Sequence, residues 1–402
     1  MKIGVIREEK VPPDSRVPLT PEQCSFINEP GKIQVVVQPS TNRCFDDESY
    51  HEAGISLQED LSDCDVLMGV KEVPIGKLIS NKTYFFFSHT IKKQSYNRDL
   101  LLAILKKNIR LLDYEVLTNE RGQRLIAFGK FAGMVGAHNG VMTYGNRTGE
   151  FNLKRMKDCH DYSEAKTIYK GLDLPPMKIV VTGKGRVANG AAQVLKDMDI
   201  ENVSPEDFLE NEFQHAVFTQ LDCVDYAAHK DGEIFNLQDF FQNPQNYESI
   251  FTPYIQASDL MINGIYWDNK APAFFTKEEM KKSDFRIKVI ADVTCDIAPV
   301  ASIPSTLRAS TIANPIFGYD PIAEAEAVPH QASVIDMMTI DNLPNELPRD
   351  ASQAFGEQFI EHIFQELLEQ KEDGVIERAS VTQNGDLGKY FEYLRDYVEG
   401  KS

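Results

Sequence analysis

The fold is decided by Lys178-Ile-Val-Val-Thr-Gly183-Lys-Gly185-Arg-Val-Ala188-Asn-Gly190. This stretch predicts a buried strand, a glycine turn and then a helix over 187–198. In a dinucleotide-binding loop the first glycine makes the turn, the second lets the backbone approach a pyrophosphate, and a small third residue allows close packing. The helix N-terminus then favours the phosphates. An ordinary glycine turn remains the alternative, because the motif alone is weak.

The predicted cofactor-binding residues in this stretch are Gly183, Gly185, Arg186, Val187 and Ala188. NAD sites commonly carry an acidic residue about 20 residues further on, which binds the ribose hydroxyls. At that distance the chain has Ser204, which we include in the cofactor site, followed by Glu206 and Asp207. Ser204 would not repel a 2′-phosphate, whereas Glu206 suits NAD or simply begins a solvated helix. The sequence therefore predicts NAD(P) and leaves NAD and NADP open.

Short apolar runs alternate with helical patterns on both sides of this stretch, which indicates an α/β fold with buried, parallel sheets. The predicted strands are 2–6, 33–37, 65–70, 84–87, 110–113, 178–182, 202–203, 216–219, 260–263 and 288–292. The predicted helices are 20–26, 98–106, 131–144, 187–198 and 351–370, with short helices inside 222–276.

The order of these elements predicts two Rossmann-like domains, with the dinucleotide-binding domain inserted into a discontinuous substrate domain. We expect residues 1–135 and 335–402 to form the substrate domain and residues 136–334 to form the dinucleotide-binding domain. The chain would cross between them at 131–144 and return near 331–340.

The composition narrows the classes of function. A formal charge of −19 argues against a nucleic-acid partner, which would need basic stripes. The six cysteines form no C-x-x-C pair or Cys/His cluster, so we expect no metal site and no disulfide scaffold. No run approaches the roughly 20 apolar residues of a membrane span. Arg7 interrupts the N-terminus before any signal-peptide core, so a cytoplasmic location is expected.

Charged residues follow several of the predicted strands. Arg16 comes shortly after the first strand, and Lys71, His89 and Glu115 come after later ones. Because ligands of open α/β sheets bind outside the carboxyl ends of strands, these side chains are predicted to converge. Each has a structural alternative: a solvated lysine, a packed histidine, or an arginine paired with Asp14 at the surface. As a set they fit an amino-acid dehydrogenase, where Arg grips a carboxylate and His or Lys moves protons.

The order and spacing of further motifs resemble the lysine-ketoglutarate reductase (lysine-forming saccharopine dehydrogenase) family. They are more distantly similar to alanine dehydrogenase. The resemblance covers nearly the whole chain and is weakest over 145–170. Its segments are Asp14-Ser-Arg-Val-Pro-Leu-Thr-Pro21, Gly69-Val-Lys-Glu72, Lys82-Thr-Tyr-Phe-Phe-Phe-Ser-His-Thr-Ile-Lys92, Arg110-Leu-Leu-Asp-Tyr-Glu115, Arg124-Leu-Ile-Ala-Phe-Gly129, Met261-Ile-Asn-Gly-Ile-Tyr-Trp267, Ala291-Asp-Val-Thr-Cys-Asp296, Ile340-Asp-Asn-Leu-Pro344 and Thr382-Gln-Asn-Gly-Asp-Leu387.

The resemblance implies a role for each of these charged residues. Lys71 and His89 match the family's acid–base pair, and Arg16 and Arg124 match residues that hold substrate carboxylates. Lys10 lies one step from the place where fungal members carry a basic residue.

Two further acids and the cofactor contacts are also implied. Glu115 would tune the charge on Lys71, and Asp341 would orient or pair with the substrate nitrogen; both count as substrate-binding residues. The residues implied around the nicotinamide and its ribose are Asn263, Ile265, Tyr266, Asp292 and Asp296.

The family condenses the lysine ε-amine with 2-oxoglutarate and reduces the imine with NAD(P)H to give saccharopine, or runs the reverse reaction. The chain ends where the bifunctional members continue, so we expect another protein to handle saccharopine. Two alternatives remain open, an alanine dehydrogenase-like or other amino-acid or opine dehydrogenase, and a dinucleotide-binding subunit without activity. A monomer or dimer is expected.

Overall fold

The computed structural model of the chain describes residues 1–369 and 374–401. The chain divides into two compact units, one formed by Met1–Phe128 with Pro348–Ser402 and the other by Gly129–Leu347. The sequence placed these boundaries at 135/136 and 334/335. Within the described residues, the helices are too short or too polar to cross a membrane.

The strands of both units are short, and five of the described strands are buried at every position. In chain order they are β1 (Lys2–Val5), β2 (Gln34–Val37), β3 (Ser56–Leu57), β4 (Val66–Met68), β5 (Thr83–Phe86), β6 (Arg110–Asp113), β7 (Lys178–Thr182), β8 (Glu201–Asn202), β9 (Val217–Leu221), β10 (Ala227–His229), β11 (Tyr247–Ser249), β12 (Leu260–Asn263), β13 (Val289–Asp292), β14 (Ile316–Asp320), β15 (Ala325–Ala327), β16 (Ile335–Met338), β17 (Ser380–Gln383) and β18 (Asp386–Leu387).

The helices alternate with these strands. They are α1 (Pro21–Ile27), α2 (Asp47–Glu52), α3 (Arg98–Lys106), α4 (Gly129–Thr148), α5 (Tyr162–Tyr169), α6 (Arg186–Asp197), α7 (Pro205–Glu210), α8 (Cys223–Tyr226), α9 (Leu237–Gln242), α10 (Thr252–Ala257), α11 (Lys277–Met280), α12 (Pro348–Phe359), α13 (Gln365–Glu369), α14 (Val375–Arg378) and α15 (Arg395–Glu399). The predicted helix 351–370 contains a π-helical turn over Ile360–Phe364, and its last residue lies outside the described residues.

The sheet of the first unit has the order β18-β17-β6-β5-β4-β1-β2-β3 among the described residues. Strands β1 to β6 run parallel, and β17 joins β6 antiparallel. The C-terminal part of the chain therefore completes a sheet that the N-terminal part begins. Phe85 of β5 packs against the rings of Tyr114 and Phe359, and Phe87, the residue after β5, packs against Phe128 and Phe355.

The sheet of the second unit has the order β15-β14-β16-β13-β12-β7-β9-β8 among the described residues. Strands β7, β8, β9, β12, β13 and β16 run parallel, and β14 and β15 extend the sheet antiparallel. Between β9 and β12 lie the predicted short helices and also the antiparallel pair β10–β11, which was not predicted. The predicted α/β fold with two mainly parallel sheets is confirmed.

Helix α4 lies against α6 because glycines let the two backbones touch. A Cβ at Gly133 would lie 1.8 Å from the carbonyl oxygen of Val187, and one at Gly190 would lie 2.1 Å from that of Lys130. No side chain fits at either place. Gly133 of α4 and Gly190 of α6 therefore fix the close approach of the two helices, the second of which follows the glycine turn.

Candidate functional site

The carboxyl ends of β4, β5 and β6 carry charged side chains in the first unit. Lys71 follows β4, His89 follows β5 and Glu115 follows β6, each within three residues of the strand end. Because these strands are parallel neighbours, their carboxyl ends share one edge of the sheet. The structure thus brings these three predicted site residues to the same edge.

A carboxylate between two basic groups orients His89. Oε1 of Glu72 lies 2.6 Å from Nδ1 of His89, and Nζ of Lys10 donates to Oε2 of Glu72 at 2.6 Å. Burial raises the pKa of Glu72, but hydrogen bonds from His89 and Lys10 outweigh this and lower it to about 2. Glu72 is thus ionised at neutral pH and accepts the Nδ1 proton, which leaves Nε2 for a substrate. Sequence reasoning quoted Glu72 in a motif but gave it no role.

The backbone at His89 is strained. Its φ angle is 55°, in the left-handed region that a residue with a Cβ rarely adopts. Such conformations cluster at functional sites, where the surrounding structure holds them. Here the hydrogen bond to Glu72 and the turn that follows β5 hold the imidazole at the edge of the sheet.

The amine of Lys71 is made less basic by its surroundings. Burial lowers the pKa of Lys71, and the nearby cations Arg16 and Lys10 lower it further, against the opposing effect of Asp14 and Glu72. A lysine in such a place keeps more of its neutral, proton-accepting form near neutral pH.

One buried carboxyl group ties the loops of this edge together. Oδ2 of Asp113 accepts from the backbone N–H of Ser88 at 2.9 Å and from its hydroxyl at 2.5 Å. Oδ1 accepts from the backbone N–H of Glu115 at 2.8 Å. Asp113 therefore fixes both the turn that precedes His89 and the turn that carries Glu115. Burial raises the pKa of Asp113.

Glu115, which was predicted to tune the charge on Lys71, forms ion pairs with two other basic residues. Oε1 of Glu115 lies 3.3 Å from Nη2 of Arg124 and 3.3 Å from Nζ of Lys92. The carboxylates that act on the pKa of Lys71 are those of Asp14 and Glu72. The physical reason is that Glu115 sits on the turn after β6, two strands away from β4.

Arg16 forms a buried pair with Asp14. Its Nε and Nη2 donate to the two oxygens of Asp14 at 2.9 and 2.6 Å, and its guanidinium lies 4.2 Å from the ring centre of Phe128. The pair anticipated as a surface contact is therefore an interior one, with Arg16 only 3% exposed.

In the second unit, the glycine turn has the geometry that its sequence predicted. Gly183 has a φ angle of 98° and lies so close to the carbonyl oxygen of Gly264 that a Cβ would be 3.2 Å from it. Gly185 is the N-cap of α6, and a Cβ there would meet nothing within 4 Å. No described side chain caps this helix end, which leaves room for a phosphate at its N–H groups. The first three residues of α6 are the predicted Arg186, Val187 and Ala188.

Two amide side chains hold the glycine turn in place. Nε2 of Gln220 donates to the carbonyl oxygen of Gly183 at 3.0 Å and to Oδ1 of Asn189 at 2.9 Å. Nδ2 of Asn189 donates to the carbonyl oxygen of Lys184 at 3.0 Å. These contacts preorganise the loop. They could not be predicted from the sequence, because Gln220 is far from Gly183 and Asn189 in the chain.

The predicted cofactor residue Ser204 lies after a strand that is two places away from β7 in the sheet. Ser204 follows β8, which lies on the far side of β9 from β7, and its hydroxyl caps α7 by accepting from the N–H of Asp207. The strand beside β7 is β9, and Asp222 follows it. In dinucleotide-binding folds the acid after the strand beside the glycine loop binds the ribose hydroxyls. The carboxylate of Asp222 caps α8 by accepting from the N–H of Cys223 at 2.7 Å.

A largely apolar cavity of about 400 Å³ begins next to Asp222. Its walls include Cys223, Tyr226, Phe240, Trp267 and Phe274. Walls of this kind favour an apolar or aromatic group.

The predicted cofactor residues Asn263 and Asp292 are hydrogen-bonded to one another in the interior of the second unit. Both side chains are fully buried at the ends of β12 and β13. Nδ2 of Asn263 donates to Asp292 at 2.8 Å and to Ser302 at 3.0 Å, and its Oδ1 accepts from Thr182 at 2.7 Å. Thr306 donates to the other oxygen of Asp292 at 2.6 Å. The two residues hold the carboxyl edge of this sheet together from within.

The remaining predicted cofactor residues lie in the loops after these strands. Ile265 is half-buried, and its carbonyl oxygen accepts from the hydroxyl of Thr294 at 2.8 Å. Tyr266 is 93% exposed. Asp296 is half-buried, and burial raises its pKa.

Asp341 lies in the second compact unit, although the sequence placed it in the substrate domain. It is exposed and lies near Cys295, whose thiol donates to the carbonyl oxygen of Thr339 at 3.2 Å. Burial, with Asp292, Asp341 and Asp296 nearby, raises the pKa of Cys295 to about 12. The structure therefore groups Asp296 and Asp341 around a protonated thiol.

Residues 4–135 match the sequence family described as "Alanine dehydrogenase/PNT, N-terminal domain". Two solved structures show the same fold: an L-alanine dehydrogenase, with a TM-score of 0.66 and 16% identity over 99% of this chain and all of that chain, and a transhydrogenase from Sinorhizobium meliloti, with a TM-score of 0.59 and 13% identity over 96% of this chain and 99% of that chain. The fold and the first unit thus define an alanine dehydrogenase/transhydrogenase-like chain.

Within that class the chain is a homologue of the alpha-aminoadipic semialdehyde synthases and saccharopine dehydrogenases, which confirms the family predicted from the motifs. It is 30% identical to the mitochondrial alpha-aminoadipic semialdehyde synthase of Mus musculus over 96% of this chain and 47% of that protein. It is 25% identical to "Saccharopine dehydrogenase [NAD(+), L-lysine-forming]" of Emericella nidulans over 90% of this chain and 91% of that protein. The chain spans about half the length of the synthases it matches.

Proposed function

We propose that the chain is an NAD(P)-dependent oxidoreductase acting on a CH–NH bond, of the saccharopine dehydrogenase type, which joins lysine and 2-oxoglutarate reversibly. The observation that carries the proposal is the pair of Lys71 and a Glu72-oriented His89 at one sheet edge. Binding a dinucleotide alone needs neither group, whereas forming and reducing an imine needs both a proton acceptor and a proton donor.

His89 would act through Nε2. Because Nδ1 donates its proton in the hydrogen bond to Glu72, Nε2 can exchange a proton with the substrate. Its partner would be the carbinolamine oxygen, which has to leave as water before the imine forms. Glu72 stays ionised through this exchange, since its pKa is about 2. Its charge would stabilise the imidazolium whenever His89 carries both protons.

Lys71 would take the proton that the substrate amine loses. An ammonium group is not a nucleophile, so the lysine ε-amine must be deprotonated before it attacks the ketone of 2-oxoglutarate. The lowered pKa of Lys71 supports this role, because a neutral amine accepts protons.

Arg16 and Arg124 would bind substrate carboxylates. Each already holds a carboxylate of the protein, Asp14 or Glu115, and a guanidinium can hold two. Arg124 is 40% exposed at its side chain and is accessible to a ligand. We keep Asp341 as the residue proposed to pair with the substrate nitrogen, since it is an exposed acid next to Asp296.

A bound NAD(P) would supply or accept the hydride. The residues that fit it are those of the glycine turn for the pyrophosphate and Asp222 for the ribose. A carboxylate accepts bonds from ribose hydroxyls but repels a 2′-phosphate, so we propose that NAD is preferred over NADP. We also propose that the protein is cytoplasmic and that it is a monomer or a dimer.

A steady-state assay tests the proposed function. NADH and NADPH are each offered with lysine plus 2-oxoglutarate, and with pyruvate plus ammonia. We expect oxidation of NADH that requires lysine and 2-oxoglutarate together. Oxidation that requires pyruvate and ammonia would favour an alanine dehydrogenase activity, to which the match of residues 4–135 also points. Binding of NADH without turnover on either pair would indicate a dinucleotide-binding subunit.

A further inference from the structure

A second carboxyl group, that of Glu8, contacts the backbone of Lys71 itself. The last backbone hydrogen bond from the β1 segment to β4 runs from the N–H of Ile6 to the carbonyl oxygen of Met68. Beyond it, Oε1 of Glu8 accepts from the N–H of Val70 at 2.5 Å, and Oε2 accepts from the N–H of Lys71 at 2.9 Å. The side chain of Glu8 thus continues the ladder that the backbone of β1 no longer provides.

The residue before this contact has to be small. A Cβ at Gly69 would lie 2.8 Å from Cδ1 of Ile6 and 3.2 Å from Oε1 of Glu8. Both contacts are tighter than side chains usually make. A glycine at position 69 therefore lets the carboxyl group of Glu8 reach the two N–H groups that follow.

The surroundings of Glu8 disfavour the ionised form of its carboxyl group. Burial and the charge of Asp14 raise the pKa of Glu8 to about 8, against the lowering effect of the two N–H donors and of Arg16. Asp14 and Arg16 also act on the pKa of Lys71. The charges of Asp14 and Arg16 therefore influence the pKa of Glu8 as well as that of Lys71.

We propose that Glu8 is a positioning residue for Lys71, whose carboxyl group fixes the backbone of this lysine and thereby the direction of its amine. A proton acceptor must be held close to its working geometry, and a displacement of about 1 Å can cost about 100-fold in rate. Without Glu8 the N–H of Lys71 loses its acceptor. The segment after β4 can then rotate and let the amine leave its buried, cation-flanked position.

Two substitutions remove the hydrogen bonds from Glu8 to the backbone of Val70 and Lys71 to different extents. Glu8→Ala removes both acceptors, whereas Glu8→Gln keeps the shape and a single acceptor oxygen. Glu9→Gln is the matched control, because Glu9 is the adjacent, exposed acid and pairs with Arg7 and Lys77. Thermal unfolding of all three variants shows whether they remain folded.

The first readout needs no turnover. The acetylation rate of Lys71 by acetic anhydride is measured against pH by mass spectrometry of its peptide, which gives the pKa of its amine. We expect this pKa to rise toward 10.5 in Glu8→Ala and, to a smaller extent, in Glu8→Gln, and to stay unchanged in Glu9→Gln. An unchanged titration of Lys71 in folded Glu8→Ala and Glu8→Gln would overturn the proposal.

The second readout rests on the proposed function. We expect kcat to fall about 10- to 100-fold in Glu8→Gln while KM for NADH is unchanged. A loss of thermal stability with unchanged kcat would mean that Glu8 is only structural and would overturn the proposal. If the wild-type chain turned over neither substrate pair, the titration of Lys71 would still decide the role of Glu8, so the two failures are distinguishable.

Discussion

The carboxyl edges of the two mainly parallel sheets carry different kinds of side chain. At the edge of the first unit, Lys71 and Glu72 are half-buried groups with shifted pKa values, and Glu72 holds His89. At the edge of the second unit, Asn263 and Asp292 are fully buried and hydrogen-bonded to one another. The comparison shows that a parallel sheet determines where charged or polar side chains collect. The residues in and after the strands determine whether these side chains can transfer protons.

The largest effect is expected from removing the ionisable groups of the first edge. Lys71→Met and His89→Gln should each lower turnover about 100- to 10,000-fold, because each removes a proton-transfer group. NADH binding, measured by fluorescence titration, should be unchanged, because the proposed dinucleotide site belongs to the second unit. Turnover equal to that of the wild type would remove the substituted residue from the mechanism.

A steric change in the second unit should weaken NADH binding and stability, whereas the substitutions in the first unit should lower turnover alone. Gly133→Ala places a methyl group on the carbonyl oxygen of Val187, so α6 has to shift. We expect a loss of about 3 kcal/mol in the free energy of unfolding and weaker NADH binding, measured by urea unfolding and titration. Gly171→Ala is the control, since its nearest contact would be an ordinary 3.8 Å. Equal stability of both variants would contradict the close helix crossing.

The shifted pKa of Glu72 predicts a pH-dependent stability. Its folded-state pKa of about 2 lies below the ordinary value of 4.5, so its contribution is complete above pH 4.5 and is lost as the pH falls toward 2. Glu72→Gln should cost about 1.5–3 kcal/mol at pH 6, and the difference should shrink between pH 4.5 and 3. Urea unfolding across this range measures it, with exposed Glu120→Gln as the control. A difference independent of pH would contradict the ion pairing.

The smallest effect concerns the choice of cofactor. Asp222→Ser removes the charge proposed to repel a 2′-phosphate. We expect the ratio of kcat/KM for NADH to that for NADPH to fall about tenfold, which corresponds to about 1.4 kcal/mol. Asp231→Ser, at an exposed position, should leave the ratio unchanged. An unchanged ratio in Asp222→Ser would return the ribose site to the loop after β8.

The sequence predicted the elements whose signal is local. Strands β7 and β12 and helix α3 have the predicted bounds, because a buried apolar run and an amphipathic period are visible in the chain itself. Strand β16 was missed as a strand, since the buried Asp336 interrupts its apolar run. That acid is tolerated because Arg147 and His330 contact it.

The site was predictable only to the level of strand ends. Lys71 and His89 were found because charged residues after parallel strands share an edge. Glu72 and Glu8 were not assigned, because their roles depend on which distant backbone or imidazole they contact. Asp222 was not found because β8, the next strand in the chain, lies outside β9, and chain order does not reveal that.

The most direct test follows the hydride into the product. The chain is supplied with NADH carrying deuterium at both C4 positions of the nicotinamide, together with lysine and 2-oxoglutarate, and the product is analysed by mass spectrometry. The account predicts one deuterium in a molecule that joins both substrates, on the carbon that was the ketone of 2-oxoglutarate. A joined product without deuterium would contradict it, as would deuterium transfer that occurs only when pyruvate and ammonia replace lysine and 2-oxoglutarate.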